Sequence, residues 1–392
     1  MVLSFYSAPL EFSPLKILVG GGNGQITTLE FHPKTQQIDT LSATAVDGDN
    51  ANPSFFTLSP HGQFLFAVNE VSNFKGKNNT GSISSYELKN DGTLQLLSTS
   101  VTGADPVSSA VSPDGKNVIV ADYTAGAWSR HVVSDKGTFL SNQPAETMSY
   151  HNAGPIKSRQ SHSYIHQATY DPKGRLAFFV DLGGDSVYIH RVDKNSGALG
   201  KVAHEIHLEP GTGPRHLSML ETADGAYDLY VICELSNKII TIKLTDHSNN
   251  LSSVISQQLT TLPTPSTNAT SFGAGEVAIT RDGRFVYGSN RQTDFTKPIS
   301  DNSIVVFARD LKTGLLGTKP TFYPITTGGK TPRHFSFSND YQQSLLVVGC
   351  QQANTLIIYK RKAEDGSIVF HAHKNIQKPA VQLFWPSNIY LH

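Results

Sequence analysis

A short apolar strand, a polar turn often reading Ser/Asp-Pro-x-Gly, and a second strand ending in a polar residue recur six times along this chain. The copies begin at Asn52 (NPSFFTLSPHGQFLFAVNE), Asp105 (DPVSSAVSPDGKNVIVADY), Ile165 (IHQATYDPKGRLAFFVDLG), Gly213 (GPRHLSMLETADGAYDLYVICEL), Gly275 (GEVAITRDGRFVYGSNR) and Thr331 (TPRHFSFSNDYQQSLLVVGCQ). The turn glycines Gly62, Gly115, Gly174, Gly225 and Gly283, with Gln342 in the last copy, hold the period between 51 and 59 residues. Self-similarity at such a period marks a fold assembled from equivalent units rather than from unrelated layers.

Each unit continues with two further strand-like segments. GSISSYEL and TLQLLSTSV follow the first copy, DSVYIHRV and LGKVAHEIHL the third, NSIVVFARD and KPTFYPIT the fifth. Alternating β-branched and aromatic residues bounded by Gly, Asp and Asn are strand signals. Helical repeats would need amphipathic runs of about 12 residues, and solenoid rungs are far shorter than this period. Four strands per unit make a propeller blade. The ends complete the set: LKILVG, QITTLEFH and QIDTLSATAV near the N-terminus supply three strands, and the C-terminal PAVQLFWP supplies the innermost one. The expectation is an all-β, seven-bladed β-propeller of four antiparallel strands per blade. It occupies residues 1–392 as one domain, its seventh blade shared by residues from about 14–48 and 379–388. Such closure leaves no open sheet edge and ties both ends down.

Composition agrees and narrows the function. Hydrophobic residues are only 38% of the chain, with 32 Gly and 20 Pro, as many short strands and turns require. Lys plus Arg and Asp plus Glu are equal at 32 each, which leaves no electrostatic footprint for nucleic acid and no polybasic patch for membranes. No apolar run approaches the roughly 18 residues of a membrane span, and the N-terminus lacks a basic start followed by a compact apolar stretch. Cys233 and Cys350, both within apolar runs, read as buried free thiols, so a cytoplasmic setting is expected. The sequence sets no oligomeric state.

In a propeller the innermost strands line a central channel, so polar residues at one place in several copies converge around the axis. At the start of the inner strand stand His166, Arg215-His216, Glu276 and Arg333-His334. At the end of the second strand stand Asn69-Glu70, Asp122, Asp181, Glu234 and Asn290-Arg291. One such charge alone is most often solvated, and repeated Asp and Asn also brace turns. Three arginines, several carboxylates and several histidines in equivalent slots would crowd one funnel, where unpaired charge is costly. That pattern fits a polar pocket for an anionic small molecule. Metal and covalent readings fare worse. No His-Glu-x-x-His, Cys-x-x-Cys or Gly-x-Ser-x-Gly occurs, His151, His162 and His166 are irregularly spaced, and the arginines would repel a cation. The GGGNG run at Gly20 leads into a strand, not a helix, so it is a turn rather than a phosphate cradle. No cofactor and no metal are expected.

The phrases SHSYIHQATYDPKGRLAFFVDLG, GTGPRHLSML…LYVICEL, GEVAITRDGRFVYGSNR and TTGGKTPRHFSFS resemble the 6-phosphogluconolactonase-type β-propeller lactonases, a family that includes fungal carboxy-cis,cis-muconate cyclase. The likeness runs from about Leu15 to Pro386. It implies an active site of one His, two Arg and one Glu in the channel. By motif these are His166, Arg215 of Gly-Pro-Arg-His, Glu234 (where Cys233 replaces the usual Asn) and Arg291 of Ser-Asn-Arg. The bacterial lactonases usually read His-x-His-Gln, whereas here His162 and His166 are four apart.

Lactone opening needs a base for water, a positive group for the oxyanion and an acid for the leaving alkoxide. His166 and Glu234 are the candidates for base and acid, in either order. Arg215 and Arg291 are candidates to hold an anionic group and the oxyanion, because a guanidinium fork matches carboxylate or phosphate. Glu70, His216, Glu276, Lys330, Arg333 and His334 are candidate substrate contacts. The expected activity is hydrolysis of a sugar-type, anionic lactone by a metal-independent hydrolase. A muconate-type lactonising cyclase acting on a carboxylate is the alternative within the family, and a non-enzymatic scaffold is the alternative outside it. Scaffold propellers carry Trp-Asp signatures, yet neither Trp128 nor Trp385 is followed by Asp.

Overall fold

The computed structural model describes residues 13–247, 250–263, 269–296, 302–325 and 329–385. Seven antiparallel sheets form a ring. Six copies give six blades in chain order, with strands Phe55–Leu58, Phe64–Asn69, Thr80–Leu88 and Leu94–Gly103 in the first. The inner strands of the next five blades are Pro106–Val111, Ile165–Tyr170, Pro214–Glu221, Phe272–Ile279 and Pro332–Phe337. In the seventh blade Pro379–Phe384 pairs with Leu15–Gly21, which pairs in turn with Gln25–His32 and Gln37–Ala45. Its register sets Ile17 opposite Phe384 and Gly20 opposite Val381, so the C-terminal strand is the inner one, as expected. Residues 386–388 of the expected closing segment lie outside the described residues. Each inner strand touches the inner strand of the next blade, and Pro379–Phe384 touches both Pro332–Phe337 and Phe55–Leu58, which closes the circle.

The second strand of each blade is the most deeply buried. Leu176–Asp181, Tyr227–Cys233 and Phe285–Gln292 are buried at every position. Alternation of side chains across a strand explains this, because each blade is covered on both faces. Phe178 and Val180 face the fourth blade and pack with Leu229 and Val231, while Ala177 and Phe179 face the second and pack with Ile119 and Trp128. The core is therefore seven thin layers, one per blade interface, rather than one central mass.

Polar side chains tie blade to blade. The turn after each second strand reaches the entry of the next blade. Asp185 accepts from the amides of Gly211 and Gly213, both at 2.7 Å, and Asn237 donates to the carbonyl of Phe272 at 3.0 Å. Asn354 accepts from the amide of Lys378 at 2.9 Å. These three residues have φ of 51–53°, a left-handed turn conformation that Asp and Asn tolerate better than most residues. At the opposite ends of the blades, arginines bridge to tyrosines: Arg361 donates to the Tyr287 hydroxyl at 3.0 Å, and buried Arg309 bonds both Tyr230 and Asp228. A hairpin at Asn73–Phe74 and Lys77–Asn78, which the repeat pattern did not contain, is inserted before the third strand of the first blade.

Candidate active site

At one rim the inner strands share a defect. In six of the seven sheets the pairing register slips near the start of the inner strand, between Pro106 and Ser108, Ile165 and Gln167, Pro214 and His216, Ala274 and Val277, Pro332 and His334, and opposite Gly20/Gly21. A β-bulge leaves its extra residue outside the ladder and re-aims its side chain. The residues so released are Val107, His166, Arg215, Gly275 with Glu276, Arg333 and Ala380. The rim of the channel is thus built by one backbone device used repeatedly, and four consecutive blades carry the ionisable residues.

Glu234 is the centre of charge. It follows Cys233, the last residue of its strand, and its amide is fixed by the carbonyl of Gly213 at 2.7 Å. One carboxylate oxygen accepts from Arg291 at 2.6 Å and lies 3.1 Å from Nε of Arg215, the latter without hydrogen-bond alignment. The other oxygen accepts from Arg159 at 2.6 Å. Burial alone would raise its pKa, but Arg291, Arg215 and Arg159 together hold it far below the ordinary carboxylate range. Arg291 also donates to the carbonyls of Gly273 and Ala274, and Arg215 to that of Gly275 at 3.0 Å. Burial, then the charge of Arg291, pushes Arg215 down to about 9, partly opposed by Glu234.

His166 is buried beside this cluster, with its ring 5.1 Å from that of His216 and 5.3 Å from that of Tyr123. Its Nδ1 is buried without a hydrogen-bond partner. Burial, reinforced by Arg215, His216, Arg333 and Arg291, keeps the ring well below the ordinary histidine range, hence neutral near pH 7. Deeper in the channel, Nδ1 of His216 meets Glu276 at 2.9 Å, and Nε2 of His334 lies 3.5 Å from the other Glu276 oxygen. Burial would raise Glu276, but the two histidines hold it down to about 2; burial in turn pushes His334 down to about 4. Both imidazoles stand edge-on to Phe55. Arg215, His216, Glu276, Arg333, His334 and Phe55 line a polar cavity.

His166, Arg215, Glu234 and Arg291 therefore come together at one mouth, and His216, Glu276 and His334 join them through Arg215. Arg333 pairs with Glu70 at 2.9 Å near the same rim. Lys330 is exposed and forms no ion pair among the described residues. His162 is also peripheral, half-buried and 3.1 Å from the carbonyl of Thr124. Asn69, Asp181 and Asn290 are braces: Asp181, for instance, accepts from the amides of Tyr164, Gly183 and Gly184. Three guanidiniums stabilise the ionised form of Glu234, the form that a base must give up. Sequence reasoning missed Arg159 and Tyr123. Arg159 sits in a loop outside the strand repeat, and only a count of one carboxylate against several arginines hints that more partners meet there.

Comparison with known proteins agrees with the fold. The family described as lactonase, 7-bladed beta-propeller, matches residues 16–384. The chain is 28% identical to a 6-phosphogluconolactonase of Formosa agariphila over 350 residues, covering 88% of this chain and 90% of that one. It is 25% identical to the 6-phosphogluconolactonase of Bacillus subtilis over 350 residues, covering 89% and 90%. Among solved structures, a periplasmic gluconolactonase of Pseudomonas aeruginosa superposes with a TM-score of 0.80 at 26% identity, covering 95% of this chain and 99% of that one. With seven four-stranded blades closed by the two ends of the chain and a family match across nearly all of them, this protein belongs to the seven-bladed β-propeller lactonases.

Proposed function

We propose that the protein hydrolyses a sugar-type lactone at the channel mouth formed by His166, Arg215, Glu234 and Arg291, without a metal. The observation that carries this reading is the pairing of a neutral, unpartnered imidazole with a surplus of buried guanidiniums. A buried polar atom without a partner calls for a ligand or an unseen water. His166 takes the proton from the attacking water, in the neutral form that a base needs at pH 7, and as the imidazolium returns it to the ring oxygen as the acyl–oxygen bond breaks. Arg215 and Arg291, fixed by backbone carbonyls and by Glu234, face the developing oxyanion, and their fixed geometry avoids reorganisation as charge develops. Glu234 balances and orients those arginines. The same positive surplus makes the mouth hostile to a cation, which supports the metal-independent reading. Names of relatives that act on phosphogluconolactone and gluconolactone support the sugar-lactone class. The two unpaired cysteines fit a reducing, cytoplasmic setting.

The test is lactone hydrolysis by purified protein on sugar δ-lactones with and without a phosphate, followed by acid release above the spontaneous rate. Acceleration that His166→Gln strongly diminishes is the expected result. No acceleration on either lactone overturns the proposal.

A further inference from the structure

Arg159 differs from the other arginines on Glu234. Arg215 and Arg291 are anchored on sheet strands with side chains 3% and 10% exposed, whereas the Arg159 side chain is 41% exposed. It belongs to the segment that leads from Glu146–Ser149, the outer strand of the second blade, to Ile165–Tyr170, the inner strand of the third. The backbone of that segment is locked. Buried Gln160 donates to the carbonyl of Leu182 at 2.9 Å and accepts from the amide of Ile156 at 3.2 Å, while Gly154 donates to the Gln160 carbonyl at 3.0 Å. A long cationic side chain is thus held over the mouth on a fixed base, with its head on Glu234 and beside Tyr123.

Charge balance says what this arm is for. Three guanidiniums converge on one carboxylate, a surplus of two positive charges. Arg333 is balanced by Glu70, while Glu276 stays ionised between two histidines that burial keeps neutral near pH 7, so the mouth as a whole carries a net surplus of one positive charge. A buried surplus of like charge is costly unless a ligand neutralises it. A net positive mouth whose most exposed guanidinium is Arg159 suits an anionic group such as a phosphate monoester, whose charge is about −2 at neutral pH.

We infer that Arg159 is the specificity-determining receptor for a phosphate group on the substrate, exchanging its carboxylate partner Glu234 for that phosphate while the locked backbone around Gln160 retains the arm. Glu234 keeps Arg215 and Arg291 through the exchange, so the oxyanion donors stay in place. The inference rests on the lactonase reading for its kinetic arm but not for its binding arm.

The experiment compares native protein with Arg159→Ala and Arg159→Lys on 6-phosphogluconolactone and gluconolactone. A lost charge-assisted contact lowers kcat/KM by roughly 10- to 150-fold. Arg159→Ala is expected to cause a loss of that order on the phosphorylated lactone, with a markedly smaller loss on the neutral one. The preference for phosphate then collapses by tenfold or more, and Arg159→Lys, lacking the fork, restores only part of it. Equal losses on both lactones would reduce Arg159 to a positioning partner of Glu234 and overturn the inference, as would no loss on either. If the native protein opens neither lactone, the lactonase reading fails, and calorimetry with 6-phosphogluconate and gluconate decides the matter alone. Tighter binding of the phosphorylated acid that Arg159→Ala erases supports the receptor. A preference that survives Arg159→Ala, or no preference in native protein, refutes it.

Discussion

At the scale of single residues, His166 and Glu234 are both buried acid–base groups at one mouth, yet their surroundings assign them opposite work. The imidazole is pushed toward neutrality with Nδ1 unclaimed, and the carboxylate is held ionised by three cations. His166→Gln is expected to lower turnover by about 100- to 10,000-fold while the melting temperature barely moves. Glu234→Gln should instead destabilise the protein strongly, because breaking a buried ion pair typically costs about 3–5 kcal/mol. Measuring turnover and thermal unfolding on both variants separates the two roles. A Glu234→Gln protein as stable as native, but with a flattened pH–rate profile, would return the base to Glu234.

At the scale of the strand, the bulge decides which side chain enters the channel. The fifth blade has two residues there, Gly275 and Glu276, and the glycine lies against Arg291. A Cβ built on Gly275 would stand 2.6 Å from Oγ of Ser289 and 2.9 Å from Nε of Arg291. Gly275→Ala is therefore expected to displace Arg291 from Glu234. Activity should fall by about 100-fold or more, the scale of losing one oxyanion donor, with a smaller effect on unfolding. A variant with native kinetics would show that the position of Arg291 does not matter. The positions of His166, Arg215-His216, Glu276 and Arg333-His334 were legible in the sequence because the repeat aligns them. The bulges were not, since one extra residue hardly perturbs an alternating pattern of six. Arg159 was illegible for a related reason: it lies in a connection outside the repeat, and repeats predict only what recurs.

At the scale of the molecule, the ring and its clasp could be read from four strand-like segments split three to one between the ends. The blade-to-blade grips of Asp185, Asn237 and Asn354 could not, because a polar residue in a turn looks the same whatever it holds. Ending the chain before Pro379 removes the inner strand of the seventh blade and exposes the edge of Leu15–Gly21. The expected result is loss of cooperative unfolding and a tendency to associate through the open edge, measured by thermal melts and light scattering. A cooperative monomer would contradict the clasp. Acid should also weaken the ring. His334 is held down to about 4 and His131 to about 3, both chiefly by burial. Between pH 6.5 and those values the unfolded chain binds protons that the folded chain refuses, so stability falls as pH drops through that window. Asp122, raised to about 7 by burial, acts in the opposite sense. Melting temperatures that stay flat or climb from pH 6.5 to 4 would mean the buried histidines are outweighed.

The slipped register also bears on how such a molecule diversifies. A bulged residue has already surrendered its cross-strand partner, so replacing it disturbs no ladder, and each of the six bulged blades offers its own independent place. Here one arc of the rim carries His166, Arg215, Glu276 and Arg333, while Val107 and Ala380 occupy the corresponding places in two other blades. Those small and apolar places are open sockets. Selection for a new ligand could rewrite them one residue at a time, with the existing chemistry intact across the channel and the scaffold never asked to refold.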